Sequence, residues 1–236
     1  MRLKSILGVA LLESRRGFRA GYAYISSILS TVWLLIFFYI LGGPSFLPHV
    51  VIGSIISLIL SVSGSSAIYD AYYDLIKLRD IFLASPVSPL EFRIGIALGN
   101  LLPSIPTLSA YFILLFFITN VSLACFFITT FVTILITWIM GVFIGYIVSR
   151  GDLNAGPKIN LVNKLLTLLP PIYYPTSLLP KELRFLAYLV PTYNISELVK
   201  CQLNIAFSGT YHIEICTIFL VFQLILIIST GLKIGR

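Results

Sequence analysis

Residues 69–95 have the sequence YDAYYDLIKLRDIFLASPVSPLEFRIG, the longest charged interruption in a chain that is otherwise mostly apolar. Seven ionisable side chains fall within it: Asp70, Asp74, Lys77, Arg79, Asp80, Glu91 and Arg93. At roughly 3 kcal/mol for each charge near the bilayer centre, burying all seven in hydrocarbon would cost about 20 kcal/mol. We therefore expect this segment to lie in water or at a membrane surface.

The first half of this segment predicts an amphipathic helix. Asp70, Asp74 and Lys77 recur at positions i, i+4 and i+7, and apolar side chains fall on the opposite side. Arg79 lies within the apolar side and can extend its guanidinium to water past an apolar stem. The pattern fits a plain surface helix, and it also fits a helix that docks on a partner protein.

The second half predicts a helix break followed by a new helix. Ser85 and Pro86 end the first helix, because a residue before proline is pushed out of the α region and proline has no N–H to donate. Ser88 is suited to cap the next helix, with Pro89 in its first turn and Glu91 where the helix dipole favours an anion. Such an element at a membrane face can receive force from a partner.

The composition predicts an all-α membrane protein. Hydrophobic residues make up 58% of the 236 and charged residues only 11%, with a mean hydropathy of +1.00, which excludes an ordinary globular protein. The apolar runs are continuous for about 20 residues and do not alternate with period two, so they favour helices over a β-barrel. We treat 1–236 as one transmembrane domain.

Six spans are predicted from the apolar runs. Residues 94–149 carry no charge and are too many for one crossing, so the polar residues 119–122 divide them into the third and fourth spans. Pro103 and Pro106 are expected to kink the third. The remaining spans are placed near 21–41, 50–69, 159–173 and 215–232.

The lysines and arginines predict the orientation. With the N-terminus inside, 12 of the 16 lie in cytosolic segments, 3 lie outside, and Lys164 lies within a span. The positive-inside rule therefore predicts that both termini and residues 70–93 are cytoplasmic, and we expect the protein to lie in the plasma membrane. This topology explains the net charge of +7, so no nucleic-acid partner is needed.

Two segments outside the spans predict further helices. Residues 1–19 are basic and amphipathic, and their apolar side contains Leu3, Ile6, Leu7, Ala10 and Leu11. We expect this helix to lie on the lipid of the inner leaflet. After the fifth span, prolines at 170, 171, 175 and 180 prevent a continuous helix.

Within 174–212, two short helices are expected to re-enter the outer leaflet. Pro180 is suited to begin the first, and Asn194 to cap the second with Glu197 three residues later.

Two spans carry polar faces. Ser54, Ser57, Ser61 and Ser65 share one face of the second span; Asn160, Asn163, Lys164 and Thr167 share one face of the fifth. Small polar residues of this kind serve close helix packing, and they also serve a route for substrate. Lys164 is placed either to extend to the cytosolic surface or to face a pathway.

The motifs of several enzyme classes are missing from the sequence. There is no G-x-x-x-x-G-K-[ST] phosphate loop, so this chain is not expected to bind ATP by that route. The histidines are His49 and His212, and the three cysteines have no metal-ligand spacing, so no metal site is predicted. A membrane-surface metal enzyme built on Asp70, Asp74 and Asp80 is disfavoured, because Lys77 and Arg79 lie between them. We expect no catalytic residues.

Two stretches resemble one transporter family. The run LASPVSPLEFRIG at 83–95, after charged residues and before a long apolar span, is similar to the cytosolic signature of type-2 ABC transporter permeases. The run YYPTSLLPKELRFLAYLVPTYNISELVK at 173–200 resembles the proline-rich stretch and short re-entrant helices of the same family. The resemblance covers roughly a third of the chain.

This resemblance implies the permease subunit of an ATP-driven exporter. In the family, the signature docks on a separate ATPase subunit, which holds the ATP and Mg, and the permease pairs with a second copy or a similar permease. The implied coupling residues are Asp70, Asp74, Lys77, Arg79, Asp80, Ser85, Pro86, Glu91 and Arg93. The serines of the second span and the polar face of the fifth would border the path of an unknown substrate. The alternative is an ATP-independent secondary transporter or a channel-like membrane protein.

Overall fold

The computed structural model describes residues 2–19, 21–76, 87–119, 121–149, 155–205 and 210–234. Regular structure in these residues is helical throughout, as the sequence predicts. The α-helices are α1 (Leu3–Arg19), α2 (Gly21–Gly42), α3 (Leu47–Gly64), α4 (Ser66–Leu75), α5 (Pro89–Leu101), α6 (Ile105–Ile118), α7 (Leu123–Ser149), α8 (Ala155–Leu168), α9 (Lys181–Ala187), α10 (Pro191–Gln202) and α11 (Thr210–Ile234).

Four apolar stretches in the described residues are long enough to cross a membrane. They are Ile28–Tyr73, Pro89–Ile118, Leu123–Ser149 and His212–Gly231. The first has 46 residues and is interrupted by a 3₁₀ turn at Gly43–Phe46, where Gly43 adopts a positive φ of 69° that suits a residue without Cβ. These stretches indicate a multi-pass helical membrane protein.

The predicted fifth span, 159–173, is wrong in its bounds. Helix α8 begins at Ala155 and ends at Leu168, because Pro170 and Pro171 cannot continue a helical hydrogen-bond ladder. Its 14 residues extend about 21 Å at 1.5 Å per residue, which is short of the roughly 30 Å hydrocarbon core. The count of six crossings therefore stays a prediction.

Helix α3 lies at the centre of the bundle. It packs against α2, α5, α6, α7, α8 and α10, and Ile52, Ile56 and Ile59 are fully buried in the main apolar core. Helix α7 lies close to the backbone of α3 at Gly145, where an added Cβ would lie 2.6 Å from the Gly64 carbonyl oxygen. Small residues permit this close crossing.

Local signals correctly predicted the helix start after Ser88 and an interruption near Pro103. Helix α5 begins at Pro89 with a capping box: the Glu91 N–H donates to Ser88 Oγ at 3.3 Å, and the Ser88 N–H donates to Glu91 Oε2 at 3.1 Å. A 3₁₀ turn at Leu102–Ser104, with Pro103 near its start, separates α5 from α6.

Helix α1 buries a face that differs from the predicted one. Ile6 and Ala10 are buried as the amphipathic pattern suggested, but Val9 joins them against α5 while Leu3 and Leu7 are exposed. The reason is the shape of α5, whose Gly95 lets Val9 approach. The exposed leucines leave an apolar stripe on the other side of α1, consistent with the predicted position at a membrane interface.

The bundle has two polar ends. The α1 end holds α1, α4 and the start of α5, and the far end holds the segment after α8 together with α9 and α10. At the far end, α9 follows Pro180 as predicted. The predicted cap at Asn194 is wrong: α10 begins at Pro191, with Val190 as its N-cap residue, and Asn194 lies inside the helix.

Candidate functional site

A cluster of aromatic and charged side chains joins α1 to α4. The guanidinium carbon of Arg16 lies 4.9 Å from the ring centre of Tyr69, 5.3 Å from that of Tyr72 and 5.8 Å from that of Tyr73, within the range of cation–π attraction. The Arg16 Nη1 also donates to the Tyr73 hydroxyl at 3.2 Å. Three tyrosines on one side of α4 therefore hold the last turn of α1.

The buried carboxylate of Glu13 completes this connection. Its side chain is only 3% exposed and accepts a hydrogen bond from the Tyr73 hydroxyl. Glu13 reaches this position because α5 has Gly99 beneath it: a Cβ added at Gly99 would lie 2.6 Å from the Glu13 Cβ. The pair Gly95 and Gly99 thus forms a close-packing site for α1.

Replacing Tyr73 with phenylalanine tests this connection. The Y73F variant removes the hydroxyl shared by Glu13 and Arg16 and leaves a buried carboxylate oxygen without that donor. We expect a loss of about 1–3 kcal/mol in the free energy of unfolding, measured by thermal unfolding of the purified protein. The matched control is Y72F, because the Tyr72 ring is exposed. Equal stability of the two variants would contradict the assignment.

A second set of contacts joins the two sides of the predicted coupling segment. The Arg93 Nε on α5 donates to Asp70 Oδ2 on α4 at 3.2 Å, and the Arg93 guanidinium carbon lies 5.1 Å from the ring centre of Tyr146 on α7. The Arg2 backbone N–H donates to Glu91 Oε1 at 2.5 Å. Helices α1, α4, α5 and α7 are therefore tied together at the α1 end.

Three of the nine predicted coupling residues, Asp70, Glu91 and Arg93, make contacts within this end of the bundle. Asp74 belongs to α4. The others lie outside the described residues: Lys77, Arg79, Asp80, Ser85 and Pro86.

Glu13, Arg16 and Tyr73 at this end were not predicted as site residues. The spacing of the tyrosines at 69, 72 and 73 and of the glycines at 95 and 99 was the available signal.

The predicted serine face of the second span points mainly into the protein. Ser54 is buried, Ser57 contacts the Tyr173 hydroxyl, and the Ser65 Oγ donates to the Ser61 carbonyl at 2.8 Å. Ser57, Ser61 and Ser65 are partly buried. Their surroundings are those of a packed interface, and their role along a pathway stays a prediction.

The predicted polar stripe of the fifth span divides into two faces. Asn163 and Thr167 are buried, and a Cβ added at Gly64 of α3 would lie 3.3 Å from Asn163 Nδ2. Asn160 and Lys164 are exposed on the other face of α8. The structure therefore brings half of this stripe against the second span and leaves the other half on the surface of the chain.

A groove of about 640 Å³ lies between α7, α8 and α11. Its lining is mostly apolar, with Val162 and Leu166 from α8 and Phe222 and Leu226 from α11. The predicted pathway residues do not line it.

A buried polar cluster occupies the far end, centred on Glu197. Its Oε1 accepts from Lys200 Nζ at 3.0 Å and from Thr176 Oγ1 at 3.0 Å, and its Oε2 accepts from His212 Nε2 at 3.3 Å. Lys200 is fully buried and its Nζ also donates to the carbonyls of Pro171 at 3.1 Å and Tyr174 at 3.5 Å. We call these four residues, Thr176, Glu197, Lys200 and His212, the far-end cluster.

The charges of this cluster determine the protonation of Glu197, which lies outside the four apolar stretches. Burial acts to raise the pKa of its carboxyl, but the bond from His212 and the Lys200 ammonium outweigh burial and hold that pKa at about 2. Because the pKa is lower than in an unfolded chain, the carboxylate contributes stability at neutral pH. That contribution is lost as the pH falls from about 4.5 toward about 2.

Asn194 also takes part in the packing of the far end. It is fully buried, and its Nδ2 donates to the Tyr188 carbonyl at 2.8 Å and to Gln223 Oε1 at 3.0 Å. These bonds explain why it does not cap α10.

No protein-family model matches this chain, and a search of curated proteins also finds no match.

Sequence reasoning assigned no site role to the far-end cluster. Glu197 was expected to support a helix cap, and Lys200 and His212 were placed only within the outer segment 174–212. The available signal was the i, i+3 spacing of Glu197 and Lys200 on one predicted helix.

Proposed function

We propose that this chain is the membrane-spanning permease subunit of an ATP-driven ABC exporter. The proposal includes six crossings, with the short α8 and the segment after it forming the fifth, and α9 and α10 re-entering the outer leaflet. A separate ATPase subunit would hold the ATP and Mg, and a second copy of this chain or a similar permease would complete the pathway.

The observation that carries this proposal is the contact between the two helices that flank residues 77–86. The Asp70–Arg93 ion pair joins α4 to α5, and the Arg16–tyrosine cluster joins both to α1 through Glu13. A push on the segment between these helices would therefore move α4, α5 and α1 together. It would reach α3 through Ser65, which links α3 to α4, and α7 through Tyr146.

The exposed half of the polar stripe on α8 supports a partner in the membrane. Asn160 and Lys164 face away from the rest of the chain, and exposure of such residues to hydrocarbon is costly. Contact with a second copy of this chain would cover them and place them beside the route of a substrate.

The experiment that tests the proposal is purification of the full chain from its own membrane with any bound subunit. We expect a partner that hydrolyses MgATP, and we expect the triple variant D74N/K77Q/E91Q to lose at least 90% of that activity from the purified complex. The matched control is E182Q/E214Q, which removes two exposed carboxylates at the far end and is expected to retain the partner.

Two outcomes would contradict the proposal. One is a triple variant that keeps its full complement of hydrolysing partner. The other is transport by the purified chain in sealed vesicles without ATP.

One observation favours the alternative of an ATP-independent secondary transporter. Glu197 and Lys200 are ionisable side chains buried inside the protein, and such groups in a membrane protein are candidates for ion coupling. Transport driven by an imposed ion or proton gradient, and abolished in E197Q, would support that alternative.

A further inference from the structure

The segment after α8 depends on side chains from other elements for its position. Residues 169–175 have no regular helix, and Pro170, Pro171, Ile172 and Tyr173 are buried. Buried irregular backbone needs hydrogen-bond partners from elsewhere in the protein. Lys200 supplies two of them, to the carbonyls of Pro171 and Tyr174.

The far-end cluster has the donors and acceptors that are needed to hold the segment after α8 in place. The Lys200 ammonium has three donors, and it has three acceptors within reach: Glu197 Oε1, the Pro171 carbonyl and the Tyr174 carbonyl. The Glu197 carboxylate accepts from three elements of the fold: α10 through Lys200, a 3₁₀ turn at Thr176–Leu178 through Thr176, and α11 through His212.

The bonds continue from His212 to the end of α9. The Tyr188 hydroxyl lies 2.5 Å from His212 Nδ1, so a neutral ring that donates from Nε2 to Glu197 accepts from Tyr188 at Nδ1. One chain of bonds thus runs from Tyr188 through His212, Glu197 and Lys200 to Pro171. It joins the end of α9, α11, α10 and the segment after α8.

A buried ion pair is an unusual way to gain stability. Replacement of such a pair by apolar residues of similar size is often neutral or stabilising, because desolvation offsets the Coulombic attraction. Apolar contacts would hold the segment as firmly as these hydrogen bonds do. Hydrogen bonds differ from apolar contacts in that water can replace them. When the segment separates from α10, water can replace each lost bond, which lowers the cost of opening. The side chain of His212, 23% exposed against 4% for Glu197, marks the edge where water can enter.

We propose that the Glu197 carboxylate, through Lys200, Thr176 and His212, is a latch that holds residues 170–179 closed over the far end of the bundle and releases them as a unit. This inference goes beyond the proposed function, because it concerns opening of the chain itself and holds whether ATP or an ion gradient drives transport.

Backbone hydrogen exchange on the purified full chain, followed by mass spectrometry, tests the latch. We expect E197Q to raise the exchange rate of amides in 170–179 at least tenfold while exchange in α7 is unchanged. The matched control is E214Q, which removes an exposed carboxylate of α11 and is expected to exchange like the unmodified chain. T176V, a milder change that removes one donor, is expected to raise the rate in the same segment by a smaller factor.

A double variant separates a latch from a purely structural pair. In E197L/K200M both charges are replaced by apolar side chains. If Glu197 and Lys200 served only to neutralise each other's charge, residues 170–179 would stay as protected from exchange as in the unmodified chain. With a latch they would not, because the Pro171 and Tyr174 carbonyls and Thr176 have lost their partners, and fast exchange would persist in this segment. Normal protection in the double variant, or a rise in E197Q that extends equally through α3 and α7, would overturn the proposal. The test uses this chain alone, so it is independent of whether an ATPase partner exists.

Discussion

Replacement of Lys200 by methionine is expected to destabilise the chain by about 3–5 kcal/mol, since removal of one partner leaves the other buried charge uncompensated. In K200M the Glu197 carboxylate keeps its bonds from Thr176 and His212 but loses the ammonium at 3.0 Å. The carbonyls of Pro171 and Tyr174 lose a donor at the same time. The measurement is the free energy of unfolding in detergent micelles.

Two further variants test the cause of this loss of stability. The control K164M removes an exposed lysine of α8 and is expected to change the stability by less than about 0.5 kcal/mol. The double variant E197Q/K200M removes both charges and is expected to recover the part of the loss that comes from the uncompensated carboxylate, while the Pro171 and Tyr174 carbonyls still lack a donor. A K200M chain as stable as K164M would show that the buried ammonium has no energetic connection to Glu197.

Substitution of Gly145 by alanine is expected to destabilise the crossing of α3 and α7 by about 3 kcal/mol, at the upper end of the usual cost of overpacking. The added methyl would lie 2.6 Å from the Gly64 carbonyl oxygen and 3.0 Å from its Cα. Both atoms belong to backbone, so the two helices must separate for the methyl to fit. Their separation would loosen the buried core around Ile56 and Ile59.

The matched control is G8A, which is expected to stabilise the folded chain where G145A destabilises it. An added Cβ at Gly8, in the middle of α1, would meet nothing within 4 Å. At this position the substitution adds no clash, and the higher helix propensity of alanine stabilises the folded chain by up to about 1 kcal/mol. Unfolding of the two variants under identical conditions checks the prediction, and a G145A chain as stable as G8A would contradict the close crossing.

Local signals in the sequence were sufficient for several features of the fold. The capping box at Ser88 and Glu91 depends on residues three positions apart, and the interruption near Pro103 depends on the missing proline N–H. Neither requires information from a distant part of the chain. Hydropathy summed over about 20 residues likewise predicted helices long enough to cross a membrane.

Features that depend on distant partners were predicted less well. The amphipathic pattern of residues 1–19 indicated the correct helix but only part of its buried face, because Gly95 and Gly99 on α5 decide which side of α1 can approach. Asparagine is a residue type that often caps helices, but Asn194 lies inside α10. Its amide donates to the Tyr188 carbonyl and to Gln223 instead.

The sequence by itself determined that this chain is helical, strongly apolar and interrupted by one charged segment, since these properties follow from residue types within a few turns. Only the tertiary structure decided that Arg16 lies among the tyrosines of α4 and that Glu197 bonds to Thr176 and His212. The physical reason is that a hydrogen bond or ion pair acts over about 3 Å, while the residues it joins are separated along the chain by a distance that only folding removes.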